Sequence, residues 1–219
     1  MTRSKLLSSL DWERIILVPI LVLLLLASSI ALFSQVDAWP GGLVGVLELL
    51  YRVMLVAFYF LAVVLLLIRT DAKAKSDRLL PRAAAYAGSF APFLLAFTEG
   101  GSVSTAQSIV AVSLQALGLG FTVYSLAVLR RSFGVEPQVR TLVRSGPYRW
   151  IRHPLYVGEI VILVGAVLMG PSWERFAVLV FSAALQVYRA IHEERLLAAH
   201  IPEYTSYMQE AKRFEPRLI

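Results

Sequence analysis

Residues 15–33 read IILVPILVLLLLASSIALF, and residues 43–68 read LVGVLELLYRVMLVAFYFLAVVLLLI. An α-helix needs about 20 predominantly apolar residues to cross the hydrocarbon core of a bilayer. Both stretches meet that length, so the fold is decided here: the chain is built to sit in a membrane. The first run follows a basic N-terminus, Met1–Arg14, and a cleaved signal peptide is the competing reading. A signal peptide has an apolar core of only about 7–15 residues, so residues 15–33 are read as a retained first span.

The rest of the 219-residue chain agrees. Hydrophobic residues make up 58% and charged residues 16%, against about 45–50% and about 25% in a soluble domain. A third, shorter span is expected over Ala83–Phe97, kinked by Pro92, and a fourth over Thr105–Leu129. Gly118 and Gly120 in the fourth lack a preceding strand and a third glycine, so they are read as helix-packing positions rather than a dinucleotide loop. The apolar stretch Tyr156–Tyr188, broken by Gly170-Pro171-Ser172-Trp173, is read as a helical hairpin that crosses or nearly crosses the bilayer. Arg189–Ile219 is read as a charged helical tail. The expected architecture is all-α: a polytopic transmembrane bundle of four spans, plus a C-terminal hairpin and tail. Residues 1–129 form the span region and 130–219 the region that carries chemistry.

Charge orders these segments. The formal net charge is +6, with 21 Lys and Arg. All but Arg52 and Arg175 fall in the N-terminal tail, loop 69–82, loop 130–153 or the C-terminal part. The alternate turns, 34–42 and 98–104, contain none. With an even number of crossings the basic segments share one side, which the positive-inside rule makes cytoplasmic. The charge therefore serves topology and anionic headgroups, and nucleic acid is not expected as a partner. The absence of cysteine excludes disulfides, thiolate metal sites and cysteine nucleophiles. His153, His192 and His200 form no HExxH pair, so a metal site is not expected. No phosphate loop or GxSxG element occurs. Glu48 and Arg52, one helical turn apart in the second span, are read as an interfacial ion pair or a polar cavity wall.

The purposeful polar residues lie between Arg140 and Glu194. Because the hairpin returns the chain to the face it left, Arg152–Gly158 and Arg189–Glu194 are expected to be neighbours at the membrane surface. Such a cluster suits S-adenosylmethionine, which needs a carboxylate for its ammonium or hydroxyls, donors for its carboxylate, and electron-rich faces near its sulfonium. Glu193, His153, Arg140, Tyr148 and Tyr156 supply those types. Gly158 is expected to let a ligand approach the helix backbone.

The series Arg152-His153-Pro154-x-Tyr156, a hydrophobic stretch, then Glu193-Glu194, resembles the signature of the isoprenylcysteine carboxyl methyltransferase family and related integral membrane methyltransferases, including phospholipid N-methyltransferases. Thr141-Leu142-Val143-x-Ser145-Gly146-x-Tyr148, Glu203-Tyr204-x-x-Tyr207 and Arg213-Phe214-x-Pro216 are similar to that family too. The resemblance covers roughly Arg140–Ile219. It implies a cytoplasm-facing cofactor pocket closed by the C-terminal segment and a lipophilic or prenylated acceptor entering sideways from the bilayer. It implies cofactor contacts from Arg140, Thr141, Leu142 and Val143, from Tyr148, and from Arg152, His153, Pro154, Leu155, Tyr156 and Glu193. Where Arg140 stands the family often has histidine. Arg189 matches an arginine that meets the acceptor. The activity implied is in-line methyl transfer from S-adenosyl-L-methionine to a lipophilic carboxylate, giving S-adenosyl-L-homocysteine. An amine acceptor instead has to lose a proton, to Glu194 or His192. Arg189 and Glu194 are the residues expected to be catalytic. A membrane transporter or non-catalytic scaffold is the reading from a different class.

Overall fold

The computed structural model describes residues 11–37 and 41–216. Arg3 and Lys5, residues 38–40 of the first turn, and Arg217 lie outside the described residues. Among the described residues there are seven α-helices: α1 (Trp12–Asp37), α2 (Gly42–Ile68), α3 (Leu79–Phe90), α4 (Thr105–Leu129), α5 (Pro154–Leu168), α6 (Trp173–His200) and α7 (Tyr204–Glu210). α1, α2 and α4 are long and apolar enough to cross a membrane. Their outward faces are greasy: Leu23, Ile30 and Phe33 of α1 and Leu117 of α4 are each at least 66% exposed, as lipid-facing residues are where the surrounding solvent is hydrocarbon. The chain is an integral membrane protein.

Local chemistry sets the helix ends. Ser104 caps α4 by accepting from the Gln107 amide at 3.2 Å, and Ser172 caps α6 by accepting from the Arg175 amide at 3.3 Å. Pro154 opens α5 at a position where its missing N–H costs nothing. The expected third span takes a different form from a kinked helix. α3 ends at Phe90, and residues Ala91–Phe97 continue as a 3-10 helix with Pro92 in its first turn. Proline cannot supply the amide that an α-helix interior requires. The Pro171 break separates α5 and α6 as expected.

The basic segments do share one face. Arg14 donates to the Arg69 carbonyl at 2.9 Å, and Arg131 to the Ile68 carbonyl at 2.8 Å. Loop 69–78 pairs with loop 133–140 through two-residue antiparallel strands, β1 (Ala74–Lys75) and β2 (Gln138–Val139). Glu13, only 2% exposed, gathers this face. It accepts from the Val135 amide and from Gln138 Nε2, and pairs with Arg69 Nη1 at 2.8 Å. On the opposite face Gly101 meets Pro171, and Arg175 donates to Thr98 Oγ1 and to the Ala166 carbonyl. Glu48 accepts from Gln35 Nε2 at 3.2 Å, and among the described residues no ion pair joins it to Arg52.

α4 and α5 pack tightly along their length because small residues face each other. A Cβ at Gly158 would overlap Thr122 Oγ1 and stand 2.8 Å from the Gly118 carbonyl oxygen, and one at Gly165 would stand 2.6 Å from the Ala111 carbonyl oxygen. Gly118 is thus the packing position it was read to be. Gly158 requires correction: its open side is filled by α4 backbone, not offered to a ligand. In a bilayer, such close backbone approach replaces the hydrophobic drive that holds soluble helices together. Gly158→Ala is expected to destabilise the protein by about 1–3 kcal/mol through overpacking, measured as a lowered thermal midpoint in detergent. Gly120→Ala, where the only neighbour is the flexible Met54 sulfur at 3.3 Å, is expected to shift it far less.

Candidate functional site

One cavity of about 590 Å³ joins the basic face to the interior of the helix bundle. Its outer end is polar. Arg140, Thr141, Leu142 and Val143 line it from loop 130–153, followed by Tyr148, Arg152, His153, Leu155 and Tyr156. Arg189 and Glu193 line it from α6. Of the residues expected to form the cofactor site, Pro154 alone is absent from the wall, being fully buried at the start of α5.

The expected meeting of Arg152–Gly158 with Arg189–Glu194 is present. The Tyr156 hydroxyl donates to Glu193 Oε1, and His153 Nδ1 lies 3.8 Å from Glu193 Oε2. The His153 and Tyr156 rings stack at 5.3 Å, 9° from parallel. The Arg189 guanidinium sits 4.7 Å above the Tyr156 ring centre. Arg189 is 3% exposed. It donates to Gln186 Oε1 at 2.9 Å, to Ser89 Oγ at 3.4 Å and to the Val135 carbonyl at 3.3 Å, while its Nε is buried without a partner. Glu159 fixes this arrangement. A carboxylate only accepts, so Gln186 must turn its amino group to Glu159 and its oxygen to Arg189. Gly88 leaves room for Arg189: a Cβ there would stand 3.0 Å from Arg189 Cδ.

Glu194 is a correction. It does not line the cavity, because one residue along the helix from Glu193 it points about 100° away. Its carboxylate accepts from Arg152 Nε at 2.9 Å, His153 Nε2 at 3.1 Å, and Arg213 Nη2 and Nε at 2.7 and 3.0 Å. Fully engaged with these groups, it clamps loop, helix and C-terminal segment together and has no place as a proton acceptor. His192 also misses the cavity; its Nδ1 donates to the Tyr188 carbonyl at 2.9 Å. Arg152 lines the cavity and donates from Nη1 to the Met208 and Ala211 carbonyls. Arg140 lines it while donating to the Thr70 carbonyl and to Gln138. Burial, with the Arg69 guanidinium beside it, pushes the Arg140 pKa down to about 10, which leaves it cationic at neutral pH.

The C-terminal segment packs as a lid over this end of the cavity, which Tyr204 and Tyr207 help to line. The Arg152 amide donates to the Lys212 carbonyl at 2.8 Å, and the His153 amide to the Arg213 carbonyl at 3.2 Å. The Tyr207 hydroxyl donates to the Tyr148 carbonyl, and Phe214 leans on the His153 ring at 5.9 Å. The sequence reading missed Glu159, Gln186, Gly88 and Glu13. An acidic residue inside an apolar hairpin arm is itself a functional signal, and that signal alone singles out Glu159. Gly88 and Glu13 carry none, since each matters only through a partner distant in sequence.

The fold and cavity define an integral membrane protein with a polar, lidded recess at one face and an apolar bay beneath it. Comparison with known proteins agrees. Residues 106–202 match the model of the phospholipid methyltransferase family, in line with the resemblance read from the motifs where the two overlap, residues 140–202. The cobalt-zinc-cadmium resistance protein CzcN of Cupriavidus metallidurans is 42% identical over 79 residues, 36% of this chain and 37% of that protein. The nickel-cobalt-cadmium resistance protein NccN of Alcaligenes xylosoxydans xylosoxydans is 40% identical over 78 residues, 35% and 37% of the two chains. The matched stretch thus spans little more than a third of the length of these curated relatives. Among solved structures, the eukaryotic intramembrane Ras methyltransferase, isoprenylcysteine carboxyl methyltransferase, is similar with a TM-score of 0.45 at 17% identity, covering 90% of this chain and 85% of that one.

The clamp has a pH signature. Burial alone would raise the Glu194 pKa, but hydrogen bonds from His153, Arg213 and Arg152 and the charges they carry hold it well below the carboxylate value of 4.5. A depressed native pKa contributes stability that is fully present above about 4.5 and is lost as pH falls through the native value. Glu194→Gln is expected to lose about 3–5 kcal/mol at neutral pH by leaving buried cations unpaired. The gap between wild type and variant should narrow as pH drops below about 4.5. Limited proteolysis of the segment 204–216 across pH reads both.

Proposed function

We propose that the protein transfers a methyl group from S-adenosylmethionine to the headgroup of a lipophilic acceptor, with an isoprenylcysteine-like carboxylate as the acceptor favoured. The supporting observation is the single cavity that joins a polar recess on the basic face to an apolar bay among the helices. Its residues fit the cofactor. Glu193 has spare acceptor capacity, Tyr148, His153 and Tyr156 offer aromatic faces, and Leu142 and Leu197 offer an apolar wall. The positive-inside rule puts this recess in the cytoplasm.

When bound, S-adenosylmethionine supplies a sulfonium-activated methyl group and departs as S-adenosylhomocysteine. The chain's own residues do the rest by alignment and exclusion of water. Glu193 holds the cofactor's ammonium or hydroxyls, and its bond from Tyr156 fixes its direction. Arg189, braced by Gln186 and Glu159, turns its free Nε–H to the acceptor carboxylate and orients one oxygen for attack. A carboxylate is already charged, so no general base is required. The lid of residues 204–216 keeps water from the recess.

Glu159 favours a second reading. It is an acid with spare acceptor capacity at the boundary between recess and bay, suited to an acceptor that brings a proton, such as an amine or thiol. Glu159→Gln is expected to abolish turnover of such an acceptor and only weaken that of a carboxylate, compared with matched lipids in one assay.

Calorimetric titration of S-adenosylmethionine into detergent-purified protein tests the cofactor. We expect micromolar binding that Glu193→Ala and His153→Ala each weaken at least tenfold, about 1.4 kcal/mol. No binding to folded wild type would refute the methyltransferase reading and favour a transporter or scaffold.

A further inference from the structure

The bay beneath Arg189 has a floor. On α5 the cavity wall runs from Tyr156, under the Arg189 guanidinium, to Ala166. Ten residues at about 1.5 Å each make this about 15 Å. On α2 it runs from Ala62 to Tyr51, about 16 Å by the same rise. That depth matches one leaflet, half of a hydrocarbon core about 30 Å thick. Leu17, Leu21, Leu24, Phe58, Phe93 and Leu163 line the bay between.

At the bottom the wall changes character. Tyr51, Leu55 and Gln115 border both this cavity and a second one of about 230 Å³, which is lined beyond them by Glu48, Arg52, Val112 and Met169. Two of the three partition residues are thus polar, and a carboxylate and a guanidinium stand behind them. Gln115 is held in place: its Cγ lies 2.7 Å from where a Gly165 Cβ would stand, so α5 backs it closely. A hydrocarbon tail gains about 0.8 kcal/mol for each methylene it buries. That gain stops at a group whose desolvation costs more than the methylene returns.

We infer that the partition of Tyr51, Leu55 and Gln115 is a chain-length ruler for the tail of the lipophilic acceptor. The inference rests on the proposed acceptor site for the position of the headgroup. A tail longer than about one leaflet meets the partition.

The test uses a series of (alkylthio)acetates, R–S–CH2–CO2−, of increasing alkyl length, added to the protein in phosphatidylcholine nanodiscs with S-adenosylmethionine. Binding is read by calorimetry and methyl transfer by S-adenosylhomocysteine formed in the same samples. Affinity is expected to rise about fourfold per methylene, the equivalent of about 0.8 kcal/mol, and then to break at one length. Gln115→Ala, which opens the second cavity, should move the break to longer tails, and Ala166→Phe, which raises the floor, to shorter ones. The two variants change opposite walls, so a folding defect in one leaves the other informative. Affinity that climbs without a break, or a break that neither variant moves, overturns the ruler. A movable break with no methyl transfer at any length upholds the ruler and refutes the methyltransferase reading instead.

Discussion

The carboxylate of Glu194 is the point on which the recess depends. It sits buried where three segments distant in sequence converge: the start of the hairpin at Arg152 and His153, the end of α6, and the C-terminal segment at Arg213. A buried carboxylate without partners is costly, and with three cationic or donor groups it is held in one geometry. The same bond that satisfies it also sets His153, since a carboxylate accepts from Nε2 and leaves Nδ1 toward Glu193. His153 stacks on Tyr156, Tyr156 bonds Glu193, and Arg189 lies over Tyr156. A residue that does not itself line the cavity thereby orients most of what does.

A second constraint works from below. The glycines of α4 and α5 bring two helix backbones to near contact, which draws the base of the hairpin in against α4 and leaves the bay between α5, α2 and the α3 segment. The change from α-helix to 3-10 helix at Ala91 lets Phe93 and Leu95 reach the bay. Glu13 performs at the basic face what Glu194 performs at the lid, tying the start of α1 to both basic loops. Polar anchors thus close the water-facing end, and small residues pack the hydrocarbon-facing end, each where that type of interaction is strongest.

The architecture was largely legible. Runs such as residues 15–33 and 43–68 admit one reading, because length and hydropathy alone decide whether a helix can stand in hydrocarbon. The return of the hairpin by itself predicts Arg152–Gly158 beside Arg189–Glu194. Within that neighbourhood the roles were not legible. Glu193 and Glu194 are adjacent and identical in type, yet one faces the cavity and the other the lid. Gly158 lies one residue from Glu159, yet only the second reaches the cavity.

The sequence by itself determined that this is a membrane protein, that its basic loops share a face, and that a polar cluster forms at the base of a C-terminal hairpin. Those properties follow from local composition and from the connectivity of helices that must span or return. Only the tertiary structure decided which member of each pair serves the cavity, where the apolar bay ends, and that Glu159 braces Arg189 through Gln186. Those outcomes depend on helix rotation and on contacts between residues far apart in the chain, which a change of a few tens of degrees in packing would reassign while leaving every span where it is.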